Sequence, residues 1–338
     1  MVEYRRDAGI GCVGVAATGY VGAGWVAFFL SRGVRVRVWA RRKEAEAELA
    51  RALDAMWPDL EQLGLHPNAD RHAVAFDTDL AAAMAPCDFV QENSAESLSL
   101  KAELYARIDA VLPPDVLVAS STSSLPVTAI QADCRHPERC VLGHPFTPTH
   151  LMRLVEVVGG TGTDPVAVDA ALSSYAFWGK RPVRLRREVF GHIANRLAGA
   201  LFREAVNLVD SGVATVADVD TALVEGLGRK WAITGLFQSY HLSGGKGGFA
   251  RFVESFAPGI QRRWDDLGTP RLDEATLGKL VPQVLAAFAD TPIAELEASR
   301  AALLVQVQRL LEQSAASPPG PGAPQTAGGR STVNSSPP

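Results

Sequence analysis

The stretch CVGVAATGYVGAGW, residues 12–25, constrains the fold of this chain more than any other. A short run of small apolar residues is followed directly by closely spaced glycines. This pattern is typical of a tight turn between a strand and a helix. Dinucleotide-binding turns of the form Gly-x-Gly-x-x-Gly have this pattern, because glycine lets the backbone approach a pyrophosphate and the helix pack on its strand. Here Gly19 and Gly22 take the second and third places of the pattern, and Ala17 takes the first.

Alanine at the first place leaves two interpretations open. In the first, the turn is a working cofactor loop whose binding residues are Gly19, Tyr20, Val21 and Gly22. Alanine is the smallest substitute for glycine, and we expect it to be tolerated there if Ala17 keeps a negative φ angle. In the second, this is a glycine-rich turn that binds nothing.

Strand-like and helix-like segments alternate along the first half of the chain. Helical spacing predicts helices at 22–32, 43–63, 99–111 and 165–178. Short apolar runs predict strands at 10–16, 34–39, 73–76, 89–92, 116–120, 141–144, 154–158 and 182–185. Such alternation is typical of βαβ units that form a parallel sheet covered by helices on both faces. We therefore predict an α/β, Rossmann-type N-terminal domain over residues 1–187.

The pattern changes after about residue 187. Apolar residues recur at helical spacing from there on, and they predict helices at 192–211, 216–224, 250–256, 274–287 and 293–311. These segments predict an all-helical C-terminal domain over residues 188–313. Residues 314–338 are rich in Pro, Gly and Ser and cannot bury a core, so we predict a disordered tail.

Composition excludes several classes of protein. The net charge of −4 argues against nucleic-acid binding, which usually requires a basic balance. No apolar run is long enough to cross a membrane, and the N-terminus lacks the pattern of a secretory signal. The four cysteines are scattered and favour reduced thiols, although Cys134 and Cys140 leave a metal site open as the weaker alternative. We expect a cytoplasmic protein without a metal.

The residues after the second predicted strand bear on the choice of cofactor. NAD sites carry an Asp or Glu there that binds the ribose 2′-hydroxyl. This chain has Ala40, Arg41 and Arg42 instead, which removes the repelling carboxylate and offers two guanidinium groups to a 2′-phosphate. The sequence therefore favours NADP(H) over NAD(H). Arginines that are simply solvated at a helix start remain the alternative.

Three later stretches carry polar residues where strands or helices end: SSTSSLP, GHPFTPTHLMRLVEVVGG and GHIANRL. His144 ends one predicted strand and Glu156 lies on the next, so a hairpin would let the carboxylate orient the imidazole. Ser123 follows another strand and could donate to a substrate oxygen, while Asn195 could face the same cleft. Taken singly, each has an ordinary structural explanation as a capping or exposed residue.

In this order the three stretches resemble the L-3-hydroxyacyl-CoA dehydrogenase superfamily, including its carnitine dehydrogenase and lambda-crystallin-like branch. The resemblance covers about residues 8–312. It implies that the four family active-site positions are occupied here by Ser123, His144, Glu156 and Asn195. It further implies that Glu96 and Lys101 lie beside the nicotinamide end of the cofactor, and that the helical domain forms a homodimer. The chain departs from the family pattern at Ala17, Ala40, Ser121 and Thr147.

The resemblance implies reversible hydride transfer between a nicotinamide and a 3-keto carbon, with His144 exchanging the proton. Three substrate classes remain open: a 3-hydroxyacyl thioester of coenzyme A, a small 3-hydroxy acid of the carnitine type, and a polyketide intermediate. For carnitine, aromatic residues such as Trp231, Phe237, Tyr240 and Phe249 are candidates to hold the ammonium, although core packing explains them as well. Two alternatives without catalysis also remain, a structural protein like lambda-crystallin and an NADP-binding regulator.

Overall fold

The fold was analysed in a computed structural model that describes residues 3–316. One eight-stranded sheet organises the first part of the chain, with strand order β3-β2-β1-β4-β5-β6-β7-β8. The strands are β1 (Cys12–Ala16), β2 (Arg35–Trp39), β3 (Val74–Asp77), β4 (Phe89–Glu92), β5 (Leu117–Ser120), β6 (Cys140–Pro145), β7 (Leu154–Gly159) and β8 (Arg181–Arg184). Neighbouring strands are parallel except for the antiparallel pair β6 and β7.

Helices cover both faces of this sheet, and each face has its own apolar core. The helices are α1 (Tyr20–Ser31), α2 (Ala45–Leu63), α3 (Leu80–Met84), α4 (Leu98–Asp109), α5 (Val127–Ile130) and α6 (Pro165–Phe177). Aromatic residues of α1, α2 and α6, among them Trp25, Trp57 and Tyr175, form one core, and residues of α3, α4 and α5 form the other. Because both faces of the sheet are covered, strands such as β1 and β6 are buried along their length.

Helices make up the remainder of the described chain. They are α7 (Ala194–Asp210), α8 (Val216–Ala222), α9 (Arg229–Ile233), α10 (Leu236–Ser243), α11 (Gly248–Asp266), α12 (Glu274–Ala287) and α13 (Ile293–Ala316), with a π-helical turn at Leu223–Gly228 after α8. The predicted fold class, a Rossmann-type sheet domain followed by an all-helical domain, is confirmed. Within residues 3–316, no helix is both long and apolar enough to cross a membrane.

Several predicted element bounds were wrong. The helix predicted at 250–256 is α11, which continues to Asp266 although Pro258 lies inside it. The helix predicted at 293–311 continues as α13 to Ala316, beyond the residue at which the tail was predicted to begin. Most of the predicted tail, residues 317–338, lies outside the described residues.

The carboxyl ends of β1, β4, β5 and β6 meet at one edge of the sheet and position the candidate site. Strand order reverses between β1 and β4, and open α/β sheets bind ligands in the crevice at such a switch point. The glycine-rich turn follows β1 at this edge. His144 lies near the end of β6, and the polar stretch SSTSSLP starts where β5 ends.

The expectation that Ala17 keeps a negative φ angle was wrong, because its φ is +70°. The turn has a left-handed residue at the place where the common pattern has glycine. The Ala17 N–H donates to the carbonyl of Trp39 at 2.8 Å, and a Cβ on Gly22 would lie 2.1 Å from the carbonyl oxygen of Ala17. The tight geometry is therefore retained, and the alanine side chain is accommodated at a cost of about 1–2 kcal/mol.

Replacing Ala17 with glycine should stabilise the protein. Ala17→Gly relieves the left-handed strain but gives the unfolded chain more freedom, so we expect a net rise of about 0.5–1 kcal/mol in the free energy of unfolding. Urea denaturation measures this change. The control Ala50→Gly, on an exposed position inside α2, should lower the same quantity by about 1 kcal/mol. A loss of stability in both variants would contradict the assignment of strain to Ala17.

Candidate active site

His144 and Glu156 form a buried pair at the end of the β6–β7 hairpin. Antiparallel pairing places these two residues directly opposite each other. Nδ1 of His144 lies 2.9 Å from Oε2 of Glu156. Since a carboxylate can only accept, Nδ1 carries the proton and Nε2 is the ring nitrogen left for a substrate. The hairpin contact expected from the sequence is present, and the catalytic role of the pair stays a prediction.

The other oxygen of Glu156 holds the beginning of α7. Oε1 accepts hydrogen bonds from the backbone N–H groups of Ile193 at 2.7 Å and Ala194 at 2.9 Å. Burial raises the pKa of Glu156, but the bonds from His144, Ala194 and Ile193 outweigh it, and the pKa lies below the ordinary value. The side chain is therefore a carboxylate that orients the His144 ring and fixes the segment leading to Asn195.

Ser123 is held by a carboxylate from the neighbouring loop. Oε1 of Glu96 accepts hydrogen bonds from the Ser123 hydroxyl at 3.2 Å, from the Thr122 hydroxyl at 2.6 Å, and from the Ser124 backbone and hydroxyl. Burial raises the pKa of Glu96, yet the bonds from Thr122 and Ser124 and the charge of Lys101 bring it below the ordinary value. A serine hydroxyl has one hydrogen, so Ser123 must turn away from Glu96 to donate to a substrate.

Lys101 lies beneath these loops and is 1% exposed. Its Nζ lies 3.1 Å from both oxygens of Glu92, 3.8 Å from Oε2 of Glu96, and 2.9 Å from the carbonyl of Ser94. Oε2 of Glu92 also accepts from the Ser120 hydroxyl at 2.7 Å. The buried ion pair therefore joins α4 to the end of β4, and the Ser120 hydrogen bond joins β4 to the end of β5.

A cavity of about 400 Å³ brings six of the thirteen predicted site residues together, among them His144, Ser123 and Asn195. It is lined by Val21, Asn93, Ser94, Glu96, Lys101, Ser121, Ser123, His144, Pro145, Phe146, Thr147 and Asn195. The residues thus come from the glycine-rich turn, from the ends of β4, β5 and β6, and from the start of α7. A reacting carbon in this cavity would meet His144, Ser123 and Asn195 from three different elements.

The glycine-rich turn has the room that a pyrophosphate requires. A Cβ on Gly19 would meet nothing within 4 Å, so the space beside this backbone is open. Tyr20 begins α1, a helix of 12 residues whose first N–H groups face the turn. The residues present therefore fit a dinucleotide, whose phosphates would lie beside Gly19 and the start of α1, where Gly22 allows the helix to pack closely on the turn.

The segment that follows β2 lies directly beside this turn and consists of Ala40, Arg41 and Arg42. Ala40 is buried, and its N–H donates to the carbonyl of Asp77 at 3.3 Å. Arg42 forms an exposed salt bridge of 3.2 Å with Glu48. Within the described residues Arg41 forms no salt bridge, and it is exposed. Arg41 is thus the guanidinium most available to a phosphate at the end of β2.

Sequence reasoning missed His192, whose ring lies beside that of His144 with 5.0 Å between the centroids. Its place in GHIANRL, two residues from the helix, was the available signal. The aromatic residues considered for an ammonium lie elsewhere, because none of Trp231, Phe237, Tyr240 and Phe249 lines the cavity. Within residues 3–316, no group of three or more His, Cys, Asp or Glu side chains is arranged to hold a metal ion.

Family models match most of the described chain, up to residue 279. A model described as 3-hydroxyacyl-CoA dehydrogenase, NAD binding domain, matches residues 10–189, and one described as 3-hydroxyacyl-CoA dehydrogenase, C-terminal domain, matches residues 191–279. L-Carnitine dehydrogenase of Streptomyces griseus is 43% identical over 300 residues, 89% of either chain. That of Burkholderia mallei is 44% identical over 263 residues, 78% of this chain and 82% of its own.

Solved structures agree with this relationship. 5-Formyl-3-hydroxy-2-methylpyridine 4-carboxylic acid 5-dehydrogenase, an NAD+ dependent dismutase, superposes with a TM-score of 0.78 at 28% identity, covering 90% of this chain and 99% of its own. 3-Hydroxybutyryl-CoA dehydrogenase of Escherichia coli gives 0.59 at 29% identity, covering 83% and 57%. These similarities indicate an oxidoreductase that acts on a CH–OH group with a nicotinamide cofactor. The chain belongs to the 3-hydroxyacyl-CoA dehydrogenase superfamily, in the branch that contains the L-carnitine dehydrogenases.

Proposed function

We propose that this protein interconverts 3-hydroxyacyl and 3-ketoacyl groups, with His144 as the proton donor and acceptor. The observation that carries the proposal is the buried His144–Glu156 pair, 2.9 Å apart, at a cavity that Ser123 and Asn195 also line. A histidine fixed in one tautomer by a carboxylate is the arrangement that general acid–base catalysis requires. Among the possible acyl substrates, we favour a thioester of coenzyme A.

A bound nicotinamide supplies or accepts the hydride. In reduction, His144 as imidazolium would donate its Nε2 proton to the oxygen of the 3-keto group as that oxygen becomes an alkoxide. In oxidation, neutral His144 would accept the hydroxyl proton at Nε2. Glu156 stabilises the imidazolium in both directions, and Asn195 and the released Ser123 hydroxyl polarise the oxygen.

We further propose that the preferred cofactor is NADP(H). Ala40 removes the carboxylate that would bind the ribose 2′-hydroxyl and repel a 2′-phosphate. Arg41 is exposed beside the turn, and Arg42 lies next to it with only an exposed contact to Glu48. Exposed ion pairs contribute little, so Arg42 can exchange its carboxylate for a phosphate.

Removing Arg41 should change the choice between the two cofactors. For Arg41→Ala we expect kcat/KM with NADPH to fall about 10–100-fold, the effect of losing a charged hydrogen bond, while the value with NADH changes little. Steady-state kinetics with both cofactors measures the ratio. Arg51→Ala, an exposed arginine on α2, is the matched control and should leave the ratio unchanged. A wild-type preference for NADH would contradict the proposal.

A second candidate substrate is a small free 3-hydroxy acid of the carnitine type. The identity of 40% or more to several L-carnitine dehydrogenases favours it. The cavity itself offers only Phe146 as an aromatic face, and its carboxylate, Glu96, is engaged by the serine loop. A quaternary ammonium binds best to aromatic faces, so the residues around His144 favour an uncharged acyl group.

One comparison of substrates separates these candidates. Acetoacetyl-CoA, dehydrocarnitine and a bicyclic aromatic 3-keto acid would each be mixed with the protein and NADPH or NADH, and oxidation of the cofactor followed by absorbance. Our proposal predicts the highest kcat/KM with acetoacetyl-CoA. Preference for dehydrocarnitine would establish the second candidate, and preference for the aromatic acid would indicate a polyketide ketoreductase. Binding of NADPH without any turnover would favour a structural or regulatory protein.

We also propose that the protein acts as a homodimer in the cytoplasm. The helical domain exposes many large apolar side chains, including Phe202, Ile233, Phe237, Leu285 and Ile293. Exposed apolar area of this extent is typical of a surface that another chain covers. Light scattering should give twice the mass of one chain, and a monomer at micromolar concentration would contradict the dimer.

A further inference from the structure

His192 is a buried histidine that the proposed reaction does not use. It is 4% exposed, and its ring is inclined by 50° to that of His144. Gly191 and His192 both have left-handed φ angles, +75° and +50°. For a residue with a side chain this conformation costs about 1–2 kcal/mol. The surrounding contacts, which include the bond from the His192 N–H to the carbonyl of Val189 at 3.1 Å, hold the backbone in this turn.

The hydrogen bond of His192 defines its tautomer. Nε2 lies 3.1 Å from the carbonyl oxygen of Thr122, which can only accept, so Nε2 carries the proton. Nδ1 is buried and has no hydrogen-bond partner within residues 3–316. A buried N–H without a hydrogen-bond partner is energetically costly. Nδ1 therefore carries no proton, and the ring is neutral.

The groups around His192 keep it neutral while His144 changes its charge. The titratable groups that face it are His144 on β6, Glu156 on β7 and Glu96 on the segment before α4. Burial lowers the pKa of His192, and charge on His144 lowers it further, against the opposing effects of Thr122 and the two carboxylates. The lowered pKa of His192 therefore agrees with a neutral ring near neutral pH.

The hydrogen bond from His192 to Thr122 connects the loop that carries Ser123 with the segment that binds Glu156. Thr122 directly precedes Ser123, and the residues that follow His192 donate to Glu156. We propose that His192 is a positioning residue that fixes the Ser123 loop relative to the His144–Glu156 pair. This proposal rests on the proposed function, in which Ser123 and His144 must meet the same substrate oxygen.

Two variants test the proposal. His192→Phe keeps an aromatic ring but cannot donate to Thr122, whereas His192→Gln offers an amide N–H in its place. We expect kcat of the His192→Phe variant to fall roughly tenfold or more, with KM for NADPH unchanged, since the cofactor turn is untouched. His192→Gln should recover most of kcat. Equal losses in both variants, or none in His192→Phe, would overturn the proposal.

A measurement without substrate separates this proposal from the reaction itself. Nitrogen-15 NMR of the imidazoles should show His192 at pH 7 with its proton on Nε2 alone. The Nδ1 proton of His144 should exchange with solvent faster in His192→Phe than in wild type, and His192→Gln should restore the slow exchange. A charged His192, or unchanged exchange in His192→Phe, would overturn the positioning role even if every tested keto substrate were inert.

Discussion

Replacing His144 with glutamine should lower kcat by about 10²–10⁴-fold, the usual contribution of general acid–base catalysis. The amide of His144→Gln still fills the site and can contact Glu156, but it cannot transfer a proton at neutral pH. The turn at Gly19 and the end of β2 are untouched, so the dissociation constant for NADPH should change less than twofold. Steady-state turnover and quenching of NADPH fluorescence measure the two quantities.

A second histidine provides the control for this substitution. His72 is exposed before β3, and His72→Gln should retain wild-type turnover. Single-turnover measurement should show the loss for His144→Gln in the hydride-transfer step itself. Wild-type turnover in His144→Gln would remove His144 from the mechanism, while an equal loss of cofactor binding would indicate a structural role.

The sheet domain could be predicted from the sequence because its signals are local. Most of its strands are short runs in which apolar residues are continuous or alternate with polar ones, and the pairing of β6 with β7 follows from two such runs joined by a loop. The helical domain was less predictable. Pro258 inside α11 resembles a helix stop, and the tertiary contacts that tolerate it are not visible in a local pattern.

At the site, the residue types were predictable and several of their contacts were not. His144 and Glu156 lie on neighbouring strands, so their contact followed from strand alternation. The left-handed φ of Ala17 could not be predicted from its residue type, because alanine normally avoids that region. The bond from His192 to Thr122 joins residues 70 positions apart, and only the folded chain brings them together.

Replacing Glu156 with glutamine should be nearly as damaging as replacing His144. In Glu156→Gln the amide oxygen can still accept from Ile193 and Ala194, which leaves the NH₂ group facing Nδ1 of His144. Nδ1 must then accept, so the ring proton moves to Nε2 and the catalytic nitrogen is blocked for oxidation. The variant also loses the charge that stabilises the imidazolium in reduction. We expect kcat to fall about 10²–10⁴-fold in both directions.

The same substitution should reveal itself in stability as a function of pH. The pKa of Glu156 in the folded protein lies below its ordinary value of 4.5, so its stabilising effect is present above that pH and is lost as the pH falls further. Glu156→Gln should therefore lower the free energy of unfolding by about 1.5–3 kcal/mol at pH 7, and the difference from wild type should shrink below pH 4.5. Urea denaturation across this range measures it, with the exposed Glu103→Gln as control. A difference that stays constant with pH would mean that folding does not lower the pKa of Glu156, and the His144–Glu156 pair would lose its electrostatic role.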